Sequence, residues 1–405
     1  MTPEFDLVIV GAGAVGTALA CALRASGLRI AIVDAAPAPE FSLASEFDLR
    51  VFALAPASQR ILAHLGAWDA VRAARVQPYS SMYVWDATGP GHVRFDSTAL
   101  GEEALGYIVE NKLLQFALWQ RLADATNLTA LRSATLAALS VHAERAALTL
   151  AGGRRLEARL VVAADGAASA VRELAGIKVH RADYHQRALV AHVHTAKPHR
   201  ATAWQRFLPS GPIALLPLAD GRASIVWSLD DARFAEVHAL DDEAFCAAAS
   251  KASAEILGRI TATTPRAAFP LQELHVQSYV RPRMALVGDA AHVVHPLAGQ
   301  GMNLGLLDAA VLAQTLLAAT ARGRDIGDLN VLRRYQRARR ADNAAMMLAL
   351  SGFKWLFGNE NAPLIWARNA GLCAVNRSTP LKGLLMRRAM GFGSELPALA
   401  RFRRN

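Results

Sequence analysis

The chain has 405 residues, 53% hydrophobic and 19% charged, which suits about two to three domains with large cores and excludes a disordered chain. Its formal charge is +10, gathered toward the C-terminus. The three cysteines, Cys21, Cys246 and Cys373, lie far apart, which excludes a disulfide framework and a cysteine metal site and fits a reducing cytoplasm.

Asp6 to Val10 reads as a buried β-branched strand. Gly11-Ala-Gly13-Ala-Val-Gly16 then opens an apolar helix to Leu23, and a second strand, Arg29 to Val33, ends in Asp34. Strand, GxGxxG, helix, strand and an acid about 20 residues on form the dinucleotide fingerprint. Gly11 serves the tight turn, Gly13 the approach of backbone to a pyrophosphate, and Gly16 the packing of helix on strand. Asp34 is placed to accept from a ribose. The uncharged run Leu7 to Leu23 invites a reading as a signal peptide or membrane span. However, it follows Glu4 and Asp6, has no basic region before it, and is shorter than the ~20 residues a span needs.

Mid-chain, Arg159 to Ala164 reads as another buried strand, ended by Asp165-Gly166, with a helix starting near Ser169 as N-cap and carrying Arg172. Arg187 to Thr195, Thr202 to Pro209, Ile213 to Ala219 and Ala223 to Leu229 are strand-like runs divided by turn residues. With Ser81 to Trp85 they predict an antiparallel sheet, one face of which is free to cover a cavity. A helix is expected over Asp241 to Leu257.

The most informative stretch is Met284 to Asp308. A strand, Met284 to Val287, ends in Gly288-Asp289; a loop holding Pro296, Gly299 and Gly301 follows; a long apolar helix then runs from about Met302 to Ala321. An acid, a glycine loop and a helix start together suit a large polar cofactor: the acid takes hydroxyls, and the helix N-terminus offers N–H groups and partial positive charge. His292 and His295 stand three apart with no third clustered ligand, so no metal is expected. Beyond this helix, Arg333, Arg334, Arg337, Arg339 and Arg340 share one helical stretch, and Arg377, Lys382, Arg387, Arg388, Arg401, Arg403 and Arg404 crowd the end. Leu381, Leu384, Leu385 and Met390 fall near helical spacing beside them. Two readings stay open, a basic amphipathic end that contacts an anionic membrane and a solvated face over a packed apolar side. Nucleic acid is not expected, because no nucleic-acid fold accompanies the charge.

The three elements, at residues 11, 165 and 288, resemble those of the flavoprotein aromatic monooxygenases, and His295 to Asp308 is similar to the signature of the ubiquinone-biosynthesis FAD-dependent hydroxylases. Asp48-Leu-Arg50, Leu65 to Trp68, Val109-Glu-Asn111 and Ala117 to Trp119 resemble that group too. The segments Asp48 to Trp68, Tyr184 to Ala191 and Ser224 to Leu229 look like the subgroup acting at ring carbon C5 of a prenylphenol.

The resemblance implies noncovalent FAD, with Gly11, Gly13 and Gly16 at its pyrophosphate, Asp34 at the adenosine ribose, Arg50 near a phosphate or the ribityl chain, and Gly288-Asp289 at the ribityl hydroxyls. Pro296, Gly299, Gly301, Met302 and Asn303 would lie against the isoalloxazine. Asp165, Gly166 and Arg172 match a motif linked to both FAD and NAD(P)H. Asn111 stands where many of these hydroxylases carry arginine, and its role is open.

The implied fold is α/β: a GxGxxG Rossmann-like FAD domain (1–75, 100–180 and 276–350), an interleaved antiparallel-sheet substrate domain (76–99 and 181–275), and a C-terminal helical region (351–405). The implied activity is ring hydroxylation of a prenylated phenol, with NAD(P)H or another reductant bound transiently and O₂ added at flavin C4a. Other quinone-biosynthesis proteins are implied as partners. The expected location is cytoplasmic, with peripheral contact at the inner face of the membrane as the open alternative. No side chain identifies itself as a phenol base, so the catalytic residue is unknown at this stage. Two other classes remain: a flavin oxidase or reductase that inserts no oxygen, and a non-catalytic member of a quinone-synthesis assembly.

Overall fold

The computed structural model describes residues 3–295, 299–392 and 396–402. Its organising element is the strand Phe5–Val10, whose Leu7, Val8 and Ile9 are fully buried. A strand apolar on both faces belongs inside a parallel sheet covered on both sides. Ile30–Asp34 and Arg155–Ala163 flank it in parallel, Leu128–Arg132 extends one side, and Met284–Leu286 extends the other. Antiparallel strands at Leu136–Val141, Ala146–Leu150 and Val280–Arg281 complete this eight-stranded sheet.

The helix Ala14–Leu23 packs on this sheet and against the long helix Gln300–Thr320. Small residues let the two approach closely: a Cβ on Gly305 would stand 2.7 Å from Val15 Cγ2. Gln300–Thr320 is long and apolar enough to cross a membrane, yet it is mostly buried in the fold, as a core helix is. It starts at Gln300, two residues before the sequence pattern suggested, because Gly299 takes the left-handed conformation at its N-cap.

The second sheet has nine strands. The long strand Val179–Thr195 pairs antiparallel with Ala223–Asp230 and Ala267–Val276. The sheet is not wholly antiparallel as expected: Thr202–Phe207 runs parallel to Ser81–Asp86, since the latter arrives from a distant part of the chain. Val76–Tyr79 lies elsewhere, in a three-stranded sheet with Val51–Leu54 and Gly106–Glu110, so the second sheet begins at Ser81. Leu189, Ala191, Ile225 and Trp227 form its own core with the helix Asp242–Ala252. That helix is shorter than the expected Asp241 to Leu257, with Asp241 as its N-cap through Ala244 N at 2.8 Å.

Three helices follow, Leu329–Phe357, Ala362–Arg377 and Thr379–Ala389. The middle one is clamped to the second sheet by a buried pair, Arg368 Nε to Asp86 Oδ2 at 2.6 Å, and by Asn369, whose Oδ1 accepts from Gly91 N at 2.7 Å. Its neighbour Thr379–Ala389 does not pack as one apolar side: Met390 just beyond it is buried, while Leu381, Leu384 and Leu385 are exposed.

Candidate functional site

Register brings the three motifs to one edge. Val10 pairs with Val33 and Ala163, and Ala163 pairs with Leu286, so Gly11, Asp34, Ala164-Asp165 and Val287-Gly288 leave the carboxyl ends of four adjacent parallel strands. Ligands of open α/β sheets bind at this edge.

The glycines divide the labour there. Gly11 sits at φ +102°, and a Cβ on it would stand 2.3 Å from Ala164 O. A Cβ on Gly16 would stand 1.9 Å from Gly11 O, so this glycine closes the turn. Around Gly13, at the N-cap of the first helix, a Cβ would meet nothing within 4 Å, and the same holds for Gly166. Backbone beside open space at a helix start is a cradle that a phosphate fits and a side chain would fill. Asp34 closes the cradle: its Oδ2 accepts from Ala12 N at 2.5 Å and its Oδ1 from Ala36 N at 2.7 Å, and the second lone pair on each oxygen can face a ribose.

Asp289 follows the outermost of these four strands. Burial raises its carboxyl above the ordinary range, while the charges of His292 and Arg50 pull it back down. It is half-buried, and no hydrogen bond engages its carboxylate among the described residues. A carboxylate free to accept and open on one side can take ligand hydroxyls. Arg50 is exposed, its guanidinium 5.4 Å from the Phe52 ring, and Asn111 lies beside it, donating its backbone N–H to Arg50 O at 2.9 Å. The Asn111 side chain accepts from Gln115 at 2.9 Å.

Several expected contacts build the site rather than face into it. Arg172 is buried and spends its guanidinium on the carbonyls of Ala290, at 3.0 Å, and Ala167, at 2.6 Å, thereby tying the Asp-Gly turn to the Gly-Asp loop. Asp165 accepts from Val171 N at 3.1 Å through Oδ2; burial raises its pKa, and its Oδ1 is enclosed without a partner. Asn303 ties the flavin-loop helix to the strand Val51–Leu54 and the helix Pro56–Leu65 that follows it: its Oδ1 accepts from Ala55 N at 2.8 Å and Ser58 Oγ at 2.7 Å, and its Nδ2 donates to Ala53 O at 3.0 Å. Gly299 packs a hypothetical Cβ 3.2 Å from Ala53 Cβ, and Gly301 and Met302 follow in the first turn, which has no side-chain cap. Pro296 lies outside the described residues.

Sequence reasoning missed what holds the Gly288 loop. Asp308 is wholly buried and accepts from Gly288 N at 3.1 Å, His292 Nε2 at 2.5 Å, Arg339 Nε at 2.8 Å and Asn343 Nδ2 at 3.1 Å. Burial opposes its charge, but His292 and Arg339 prevail and hold its pKa at about 2. An acid inside an otherwise apolar helix was the available signal, as was the Arg339–Asn343 pair four residues apart on the basic helix. A second cluster flanks the flavin loop expected from sequence. His295 is buried, with its Nε2 3.3 Å from Gln186 Oε1 and its ring edge-on to Tyr184 at 4.8 Å. Burial, aided by Lys354, brings its pKa down to about 4, so the ring is neutral at pH 7. Among the described residues no group of three or more potential metal ligands comes together.

Comparison with known proteins is consistent with this geometry. Residues 4–349 match the family described as FAD binding domain. The chain is 40% identical to the 3-demethoxyubiquinol 3-hydroxylase of Escherichia coli K12, over 95% of this chain and 98% of that protein. It is 41% identical to the ubiquinone hydroxylase UbiL of Rhodospirillum rubrum, over 98% and 92%. With the human ubiquinone biosynthesis monooxygenase COQ6, mitochondrial, the identity is 36%, over 94% and 92%. Among solved structures, the p-nitrophenol 4-monooxygenase PnpA of Pseudomonas putida DLL-E4 superposes with a TM-score of 0.79 at 18% identity, over 98% of this chain and all of that one.

Proposed function

Since the chain belongs to the FAD-binding domain family and is a FAD-dependent monooxygenase related to ubiquinone-biosynthesis hydroxylases, we propose that it hydroxylates the ring of a prenylated phenol in that pathway. The observation that carries the reading is the convergence of Gly11–Gly16, Asp34, Gly166 and Gly288-Asp289 at one edge of the parallel sheet.

The residues present fit FAD. The open backbone at Gly13, at the start of the first helix, would hold the pyrophosphate, Asp34 the ribose, and the unpartnered carboxylate of Asp289 the ribityl hydroxyls. Arg50 carries a positive charge to the same edge. The start of Gln300–Thr320 offers N–H groups and partial positive charge, which favours negative charge on a ring beside it. When bound, FAD supplies the chemistry, accepting electrons from NAD(P)H or another reductant and activating O₂ for transfer to the ring.

The chain's part is to place the phenol and keep water out. Val294, Leu304, Phe207, Met347, Leu350 and Phe357 form an apolar cluster beside the flavin loop, which suits the ring and its prenyl tail. Neutral His295 and the Tyr184–Glu273 pair, at 2.6 Å, stand at the junction with the second sheet and offer polar groups toward that region.

The experiment is complementation of strains lacking each quinone-ring hydroxylase, with mass spectrometry and ring-proton NMR of the intermediates. Restored quinone with loss of one under-hydroxylated prenylphenol supports the proposal and assigns the ring carbon. Peroxide formation without hydroxylated product would make the protein an oxidase. Failure to retain FAD would make it a binding member of an assembly.

A further inference from the structure

The C-terminal helices leave an outer surface that their inner packing does not explain. In Leu329–Phe357 every charge but Lys354 lies in the first half, and from Ala345 to Phe353 every exposed position is apolar or glycine. In Ala362–Arg377 the same holds from Ala362 to Ala374. Leu348 is 76% exposed, Trp355 62%, Trp366 75% and Leu384 63%, values far from those of a packed core. Large apolar side chains left this open to solvent call for a partner.

Charge identifies the partner. Between Asn343 and Phe392 the only acid is Glu360, whereas Arg377, Lys382, Arg387 and Arg388 follow the apolar positions along the chain; Lys354 is turned inward, donating to Tyr184 O at 3.0 Å. Tryptophan and leucine flanked by uncompensated cations match the boundary between acyl chains and anionic headgroups. A second copy of this chain would bring the same cations against one another. We propose that the outer face of these three helices docks on an anionic lipid bilayer, with Leu348, Trp355, Trp366 and Leu384 entering the interface and Arg377, Lys382, Arg387 and Arg388 meeting headgroups.

The face also has a route to the site. Met347, Leu350 and Phe357, on the inner side of the same helix, pack with Val294 and Leu304 on either side of the flavin loop. The helix is therefore the wall between bilayer and cofactor, and a prenyl tail would leave the membrane past it. This inference rests on the prenylphenol reading for its purpose but not for its test.

Flotation of the FAD-loaded protein with vesicles of phosphatidylcholine alone and of phosphatidylcholine with phosphatidylglycerol tests it. The expected result is binding to the anionic vesicles, reduced about tenfold when salt rises from about 0.1 to 1 M. The variant Leu348→Ser, Trp355→Ser, Trp366→Ser, Leu384→Ser should partition about a hundredfold more weakly while keeping its FAD and melting temperature. Wild-type protein that stays out of anionic vesicles, or a variant that binds as well as wild type, overturns the proposal. A wild-type dimer that the variant abolishes, without vesicle binding, assigns the face to a second copy and overturns it too. Turnover of a short-chain, water-soluble prenylphenol is measured in parallel. Its absence in wild type defeats the functional reading alone; its survival in the variant separates docking from chemistry.

Discussion

Replacing Asp308 with asparagine tests whether the buried network behind Gly288-Asp289 sets the cofactor edge. The carboxylate takes four donors, from Gly288, His292, Arg339 and Asn343, with none of its surface exposed. Asparagine keeps the shape but supplies one acceptor oxygen and turns an NH₂ toward groups that already donate. Arg339 would then be a buried cation whose remaining acid, Asp342 at 3.4 Å, is exposed to solvent. Removing one partner of a buried ion pair costs roughly 3–5 kcal/mol, and a loss of that size is expected in urea unfolding of the FAD-free protein at pH 7. FAD retention should fall as well, because Gly288 N–H loses the acceptor that fixes the loop. Adding Arg339→Met should recover part of the stability, since the uncompensated cation is then gone. The sign in pH follows from the carboxyl being held at about 2, below its ordinary 3.8. Its stabilisation is present above pH ~4 and is lost as pH falls through about 2, so the variant should lose less on acidification. A cost below about 1 kcal/mol, with FAD content unchanged, would refute the assigned role.

Asp289→Ala should weaken FAD binding by about 10- to 150-fold, the range of a charge-assisted hydrogen bond of ~1.5–3 kcal/mol, while leaving the FAD-free protein as stable or more so. Titration followed by flavin fluorescence checks it, and an unchanged affinity would remove Asp289 from the site. Gly13→Val should likewise abolish FAD retention with little effect on folding, because its Cβ meets open space in the protein but would occupy the pyrophosphate cradle; a yellow, fully loaded variant would be the contrary result. His295, held down to about 4 from 6.5, binds its proton less readily folded than unfolded. Stability should therefore drop as pH falls from 6.5 toward 4, and His295→Gln should flatten that window in thermal melts, with an identical acid limb counting against the assignment.

The cofactor edge was readable because its demands are local. GxGxxG between two strands with Asp34 at the end fixes a turn, a helix start and an acceptor within one unit, and each landed at the sheet edge as expected. The helix beyond Gly299 was legible for the same reason, apart from its first turn. The relation of the second sheet to Ser81–Asp86 was only half legible: alternation marks a strand, but no local pattern says that its partner, about 120 residues later, runs parallel to it.

What stayed hidden was long-range. Arg172 and Asn303 sit inside motifs, and motif membership does not distinguish a side chain that faces the ligand from one that braces the loop. Only the distances do, and they show Arg172 bound to two carbonyls and Asn303 to the Ala53–Ser58 segment. Conversely, Asp308, Arg339 and Asn343 are scattered over two helices, and each alone looks like a polar residue awaiting solvent. Their meaning appears when the low dielectric around Asp308 leaves its charge no alternative to His292 and Arg339. The outer face of the C-terminal helices follows the opposite logic. Apolar spacing leaves both a packed side and a membrane-facing side open for Leu384, and marks Trp366 and Leu348 no more clearly. Their exposure therefore needs a partner outside the chain, and the cations around them restrict what that partner can be.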